Sequence, residues 1–238
     1  MKVSQFFDPQ LLSKYNTSGP RYTSYPTALE FHDDFKHDDF IHAVETSPNR
    51  ELSLYVHIPF CHTLCYYCGC NKVITRHRDK ADIYLDYLAQ EIALQAPLFT
   101  EYKVKQLHWG GGTPTFLNPQ EIEQLMHGLR NRFDFSERSE LSIEIDPRAV
   151  DDEKLEVLAA QGFSRMSLGI QDFDLDVQSA INRIQPESMT ECVLQQARAL
   201  GFESTNFDLI YGLPLQTVES FQKTVQVVVS MRPERVAL

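Results

Sequence analysis

The sequence has 238 residues and no apolar stretch approaching the roughly 18 residues a membrane helix needs. No membrane span is therefore expected. The first residues, Met1 to Tyr15, are polar with scattered charges and lack the apolar region of a secretory signal, so a cytoplasmic location is expected. Basic residues are in deficit: 22 Lys and Arg stand against 33 Asp and Glu, for a formal net charge of −11. Binding nucleic acid requires basic surface against phosphate, so a nucleic-acid scaffold is excluded. No low-complexity tract or short-period repeat is present, which excludes fibres and solenoids. Cysteine is scarce, with five in the chain, yet Cys61, Cys65, Cys68 and Cys70 crowd into ten residues. A reducing compartment gives disulfides little use, so a tight cluster reads as metal-binding or redox chemistry.

What is present is ordinary globular material, 42% hydrophobic and 23% charged, enough to bury a sizeable core. Residues 1–50 read as an irregular N-terminal extension. Ser18 to Pro26 is rich in turn residues, and the acidic run Glu30 to Asp39 is expected to be a solvated helical face. Residues 51–238 alternate strand and helix. Strands are expected at Leu52–Ile58, Gln106–Trp109, Leu141–Ile145, Met166–Ile170, Asn206–Ile210 and Arg235–Leu238. Helices are expected over 79–96, from Pro119 behind an Asn118 cap, after Asp151, over 187–200, and after Thr217. Cys192 falls at core spacing on the fourth of these and is expected to be a small buried hydrophobe. Such alternation gives an α/β fold with parallel strands and right-handed crossovers. An open doubly wound sheet and a (β/α) barrel both fit, and both put function at the C-terminal ends of the strands. There lie the cysteines after strand one, Gly110-Gly111-Gly112 after strand two, Glu144 near the end of strand three, Gln171 ending strand four, and Asp208 within strand five.

Three thiolates spaced C-x3-C-x2-C can wrap one compact cluster from a single loop. A [4Fe–4S] cube normally takes four protein thiolates, so three would leave one iron open. Zinc would require a fourth ligand, for which His62, His57 or Cys70 is available. Free thiols are the third possibility.

Cys61, Cys65 and Cys68 after a first strand, with Gly110-Gly111-Gly112-Thr113-Pro114 after a second, resemble the radical S-adenosylmethionine (SAM) superfamily. A narrower resemblance is carried by Tyr55 to Cys61, by Cys68-Gly69-Cys70-Asn71 and by His108 to Thr115. Gly19 to Ala28, Ile143 to Arg148 and Asp208 to Pro214 carry it further. These stretches are similar to the family of oxygen-independent coproporphyrinogen III oxidases. Haem-trafficking chaperones share the barrel motifs but typically lack Cys-x-Cys and the Tyr-rich N-terminal segment. A non-catalytic porphyrin- or haem-binding protein, or an inactive fragment, is the alternative.

The resemblance implies a partial (β/α)6 barrel, truncated here at its sixth strand, with the rest of the barrel and a C-terminal helical domain absent. It implies a [4Fe–4S] cluster held by Cys61, Cys65 and Cys68, its fourth iron site bound by SAM. Cys70 is not required as a ligand. Gly111, Gly112 and Thr113 would let backbone approach the methionine end of SAM. Tyr55 and Tyr67 become candidates for contact with cluster-bound SAM, and Glu144, read as buried, for a SAM hydroxyl or amino group. Gln171, Arg183 and Asp208 match positions assigned to a second SAM. Arg183 suits a carboxylate and Asp208 ribose hydroxyls. His57 and His108 read as satisfied strand residues. Arg21, Tyr22 and Tyr25 are candidates for substrate propionates.

The implied reaction begins with one electron passing from the reduced cluster to the SAM sulfonium, giving methionine and a 5′-deoxyadenosyl radical. The radical takes a hydrogen from the β-carbon of a substrate propionate. Loss of carbon dioxide and one electron leaves a vinyl group, and two rounds convert coproporphyrinogen III to protoporphyrinogen IX. The implied partners are that substrate and an electron donor of flavodoxin or ferredoxin type, with the protein a monomer.

Overall fold

A computed structural model describes residues 8–16 and 27–238. The chain divides into two compact units between Thr46 and Ser47. The described part of the first holds two helices, α1 (Pro9–Tyr15) and α2 (His37–Thr46), with a 3-10 turn at Ala28–Glu30. Within the acidic run Glu30 thus ends a 3-10 turn, and α-helix begins only at His37. Two acidic residues, Asp38 and Asp39, occupy the first turn of α2, where they complement its dipole. Gly19 to Pro26, with Arg21, Tyr22 and Tyr25, lies outside the described residues.

The second unit is built on a six-stranded parallel sheet. Its strands are β1 (Glu51–Ile58), β4 (Lys103–Gly111), β5 (Asp134–Ile145), β6 (Arg165–Gln171), β7 (Ser204–Leu209) and β8 (Arg235–Ala237). They follow one another in space in the order of the chain, β1-β4-β5-β6-β7-β8, and every pairing is parallel. A doubly wound sheet reverses its order at a switch point, and this sheet does not. The architecture is thus the partial barrel. Between the strands run α3 (Asp79–Gln95), α4 (Pro119–Arg130), α5 (Asp152–Ala160), α6 (Leu175–Ala180), α7 (Glu187–Ala199) and α8 (Val218–Met231).

Local chemistry sets the helix starts. Asn118 caps α4 by accepting from Glu121 N at 2.8 Å, while Glu121 accepts from Asn118 N at 2.6 Å. Pro119, which has no amide hydrogen to satisfy, fills the first helical position. Behind the cap, Ile122, Leu125, Met126 and Leu129 form the buried stripe. They meet Leu107, Trp109, Ile143 and Leu168 in one continuous core.

Three differences from sequence expectation matter. β4 and β5 begin earlier, at Lys103 and Asp134, with polar residues. A short parallel pair, β2 (Phe60–Cys61) with β3 (Val73–Ile74), and helix α6 were not foreseen. Cys192 is exposed rather than buried. The buried stripe of α7 is Thr190, Val193, Leu194 and Ala197, and position 192 lies one residue, about 100° of helix, off that stripe. The thiol instead lines a cavity between the ends of α5 and α7.

Candidate active site

The cysteine loop is fixed at both ends before any ligand is considered. At its base, Val73 N donates to Pro59 O at 2.7 Å and Thr75 N to Cys61 O at 2.9 Å. At its tip, Tyr66 N donates to Ile181 O at 3.0 Å, and Asn182 Nδ2 to Leu64 O at 2.7 Å. Asn182 adopts φ 56°, a left-handed conformation that Asn tolerates. Lys72 Nζ closes the loop on Cys68 O at 2.8 Å.

This loop faces a cavity of about 400 Å3 at the C-terminal ends of the strands. Cys61, Cys65, Cys68, Tyr67, Gly111, Gly112, Thr113, Glu144, Gln171, Arg183 and Asp208 all line it. Tyr55 does not. It stands exposed beside the site, its hydroxyl 3.0 Å from His57 Nδ1 and its ring stacked on His108. His57 is also 2.9 Å from Asn71 O through Nε2, and His108 Nδ1 is 2.8 Å from Ser142 Oγ. Both rings are satisfied strand residues.

Burial raises the Cys61 thiol above its ordinary range, against a 3.4 Å contact with Thr113 Oγ1. Cys65 is buried and Cys68 partly so. Cys70 is exposed, and its thiol is pushed up to about 11 by partial desolvation and a hydrogen bond with Cys68. Burial also holds the Tyr67 hydroxyl well above the usual tyrosine value. Among the described residues, no three His, Cys, Asp or Glu side chains converge on one metal ion. The donors at hand are the loop thiols, for Cys61, Cys65, Cys68 and also Cys70 line one cavity, which fits a polynuclear cluster bridged by its own sulfides.

Glu144 differs from expectation. Its side chain is 47% exposed, so the carboxylate faces the cavity rather than lying buried. Oε2 accepts from Gly111 N at 3.2 Å and Oε1 lies 3.5 Å from His108 Nε2. Asp208 accepts from Ser167 Oγ and Asn206 Nδ2, each at 2.6 Å, yet burial still raises its carboxyl above the ordinary range. Arg183 donates to Gly169 O at 2.6 Å and to Asp146 at 3.1 Å, while its Nε is buried without a partner. Arg183 lines the cavity, and its orphaned N–H fits a site for a further acceptor. The glycines serve packing first. A Cβ on Gly112 would stand 2.6 Å from Pro59 O, and one on Gly111 would stand 2.7 Å from the His57 ring.

Sequence reasoning did not single out Asp146, Arg148, Ser167 or Asn206. Ser167 and Asn206 support Asp208, and the alternation of strand faces puts Asn206 on its side of the sheet. Asp146 caps the 3-10 turn Pro147–Ala149 and binds Arg148 through both oxygens, at 3.0 and 2.7 Å. The available signal was position: both follow the end of β5, at the functional face.

A partial barrel with a C-x3-C-x2-C loop at the strand ends defines the class. The family model described as "Radical SAM superfamily" matches residues 55–228. The chain is 55% identical over 239 residues to an oxygen-independent coproporphyrinogen III oxidase of Escherichia coli, covering 100% of this chain and 52% of that protein. A Mannheimia haemolytica relative of the same name is 61% identical over 141 residues, which are 59% of this chain and 97% of that one. The solved coproporphyrinogen III oxidase of Escherichia coli, described as a radical SAM enzyme, superimposes with TM-score 0.90 at 54% identity, covering 96% of this chain and 51% of that one. The chain belongs to the radical SAM superfamily and, within it, to the oxygen-independent coproporphyrinogen III oxidases. It spans about half the length of the Escherichia coli relative, 52% of that protein. Membership implies a [4Fe–4S] cluster and SAM as cofactors. No helix among the described residues is long and apolar enough to cross a membrane.

Proposed function

We propose that this chain is the radical-generating core of an enzyme that oxidatively decarboxylates two propionates of coproporphyrinogen III to vinyl groups. The observation that carries this reading is the convergence of the loop thiols, Gly111 to Thr113, Glu144, Arg183 and Asp208 on one cavity. Cys61, Cys65 and Cys68 would hold the cluster. Bound there, the cluster supplies the electron that cleaves SAM, and SAM supplies the radical that takes hydrogen from the substrate.

The chain's own residues bind and orient. Glu144 presents carboxylate oxygens to an amino group or hydroxyls of SAM, and Thr113 braces Cys61. Gln171, Arg183 and Asp208 are the proposed contacts of a second SAM: the unpartnered Nε of Arg183 supports a carboxylate there, and Asp208 accepts ribose hydroxyls. Tyr67, a partly buried wall beside Cys65, keeps water from the reacting centre. Tyr55 flanks this site and reaches it through His57 and His108. Residues 51–238 form the catalytic core and residues 1–50 an extension. A flavodoxin- or ferredoxin-type donor supplies electrons to this monomer in the cytoplasm.

The test is anaerobic. The chain is reconstituted with iron and sulfide, reduced, and given SAM and coproporphyrinogen III. 5′-Deoxyadenosine and protoporphyrinogen IX are then quantified together. Both products are expected if this length suffices. Deoxyadenosine alone assigns radical generation to this chain and substrate closure to the additional length of the relatives. Neither product, from a chain with an intact cluster, overturns the reading.

A further inference from the structure

The most buried of the three loop thiols, Cys65 at 8% exposure, sits under two guanidinium groups. Arg148 Nη2 lies 3.4 Å from its sulfur and Arg183 Nη1 3.7 Å. Both are tied to one carboxylate: Asp146 Oδ2 takes Arg148 at 2.7 Å and Arg183 at 3.1 Å. Two positive groups and one negative group thus leave a net positive charge against this sulfur. Arg148 is also locked in place. Asp146 Oδ1 accepts from its backbone N and from its Nε, each at 3.0 Å, so turn and side chain are held by the same carboxylate. Only 18% of the side chain is exposed, so water screens it weakly.

An N–H group aimed at a cluster thiolate withdraws electron density from it and favours the reduced, more negative cluster. We propose that Arg148 is a positioning residue for the cluster: it donates to the Cys65 sulfur, fixes that ligand's orientation and makes the cluster easier to reduce. This rests on the functional reading above. A merely structural Arg148 would hold the turn at Pro147–Ala149 and leave the cluster's redox equilibrium alone.

The experiment compares the full chain with Arg148→Met and Arg148→Lys, each reconstituted anaerobically with iron and sulfide and titrated under EPR without SAM. Wild type is expected to load the cluster; a wild type that takes up none overturns the functional reading itself. In Arg148→Met the iron content is expected to hold while the ratio of reduced to oxidised cluster at the wild-type midpoint falls about tenfold, equivalent to about 59 mV for one electron. Arg148→Lys keeps the charge but not the planar fork, so it is expected to fall only part of the way. A loaded Arg148→Met with its ratio unchanged overturns the proposal. Should Arg148→Met hold no cluster, Arg148→Lys is decisive: a lowered ratio supports the proposal and an unchanged one overturns it.

Discussion

Gly112→Ala should damage this site without touching a single chemically active group. The new Cβ would lie 2.6 Å from Pro59 O, 2.7 Å from Pro59 C and 2.9 Å from Phe60 O, where ordinary contact begins at 3.4 Å. These are backbone atoms, so no side-chain rotation relieves the clash. Pro59 O also accepts from Val73 N at 2.7 Å, and Gly112 N donates to Ile58 O at 2.9 Å. Moving Pro59 therefore strains the β2–β3 pair and shifts Cys61 directly. Overpacking of this kind costs about 1–3 kcal/mol, and rigid backbone on the far side places it toward the upper end. Gly128→Ala is the matched control. It lies within α4, a Cβ there meets nothing within 4 Å, and it should stabilise by about 0.5–1 kcal/mol through helix propensity. Urea unfolding followed by fluorescence of Trp109, the fully buried sole tryptophan, gives both values. Iron uptake is measured on the same samples. Gly112→Ala as stable as wild type, with full iron, would refute the argument that packing against the cysteine strand fixes this glycine.

Asp146 and Asp208 should give opposite pH trends. Burial pushes Asp146 upward, but the Arg148 hydrogen bond and the charges of Arg183 and Arg148 hold its carboxyl below the ordinary range. Its contribution is present above the unfolded value of about 3.9 and lost as pH falls below it toward the folded value. Asp146→Asn should lower stability by about 3–5 kcal/mol at neutral pH and flatten that acid loss, read from urea midpoints across the range. Asp208 has a raised folded value, so its contribution declines as pH rises from the unfolded value through the folded one. Asp208→Asn should abolish that decline, and a midpoint–pH curve parallel to wild type would count against it. Cys65→Ser should lose the cluster, whereas Cys70→Ser should keep wild-type iron content and EPR intensity, because the three-thiol set is intact without it.

Much of the fold was legible because its signals are local. Period-two apolar runs mark β1, β6 and β7, and Asn118-Pro119, Asp151 and Thr217 announce helices through caps that need only neighbouring residues. The thiol loop was legible too, since three thiols within eight residues need no tertiary structure to be brought together. Where polar residues carry strand geometry, as at Lys103–Lys105 and Asp134–Glu140, the pattern was silent, because neighbouring strands supply the hydrogen bonds that extend the element. The side of α7 that Cys192 occupies depends on which face meets the sheet, and spacing alone admitted the wrong one.

The list of strands and helices alone serves a doubly wound sheet and a barrel equally; the cysteine and glycine motifs pointed to the barrel by resemblance, and the order of strand pairing bears that out. Tertiary structure likewise decided which charges meet. Asp146 and Arg183 are 37 residues apart, and Arg148 and Cys65 are 83 apart. Sequence determined the reactive groups and the elements that carry them. Folding determined that two arginines and one aspartate close over the most buried thiol, that Glu144 faces open space, and that Gly111 and Gly112, at the end of β4, are held small by the segment that delivers the cysteines.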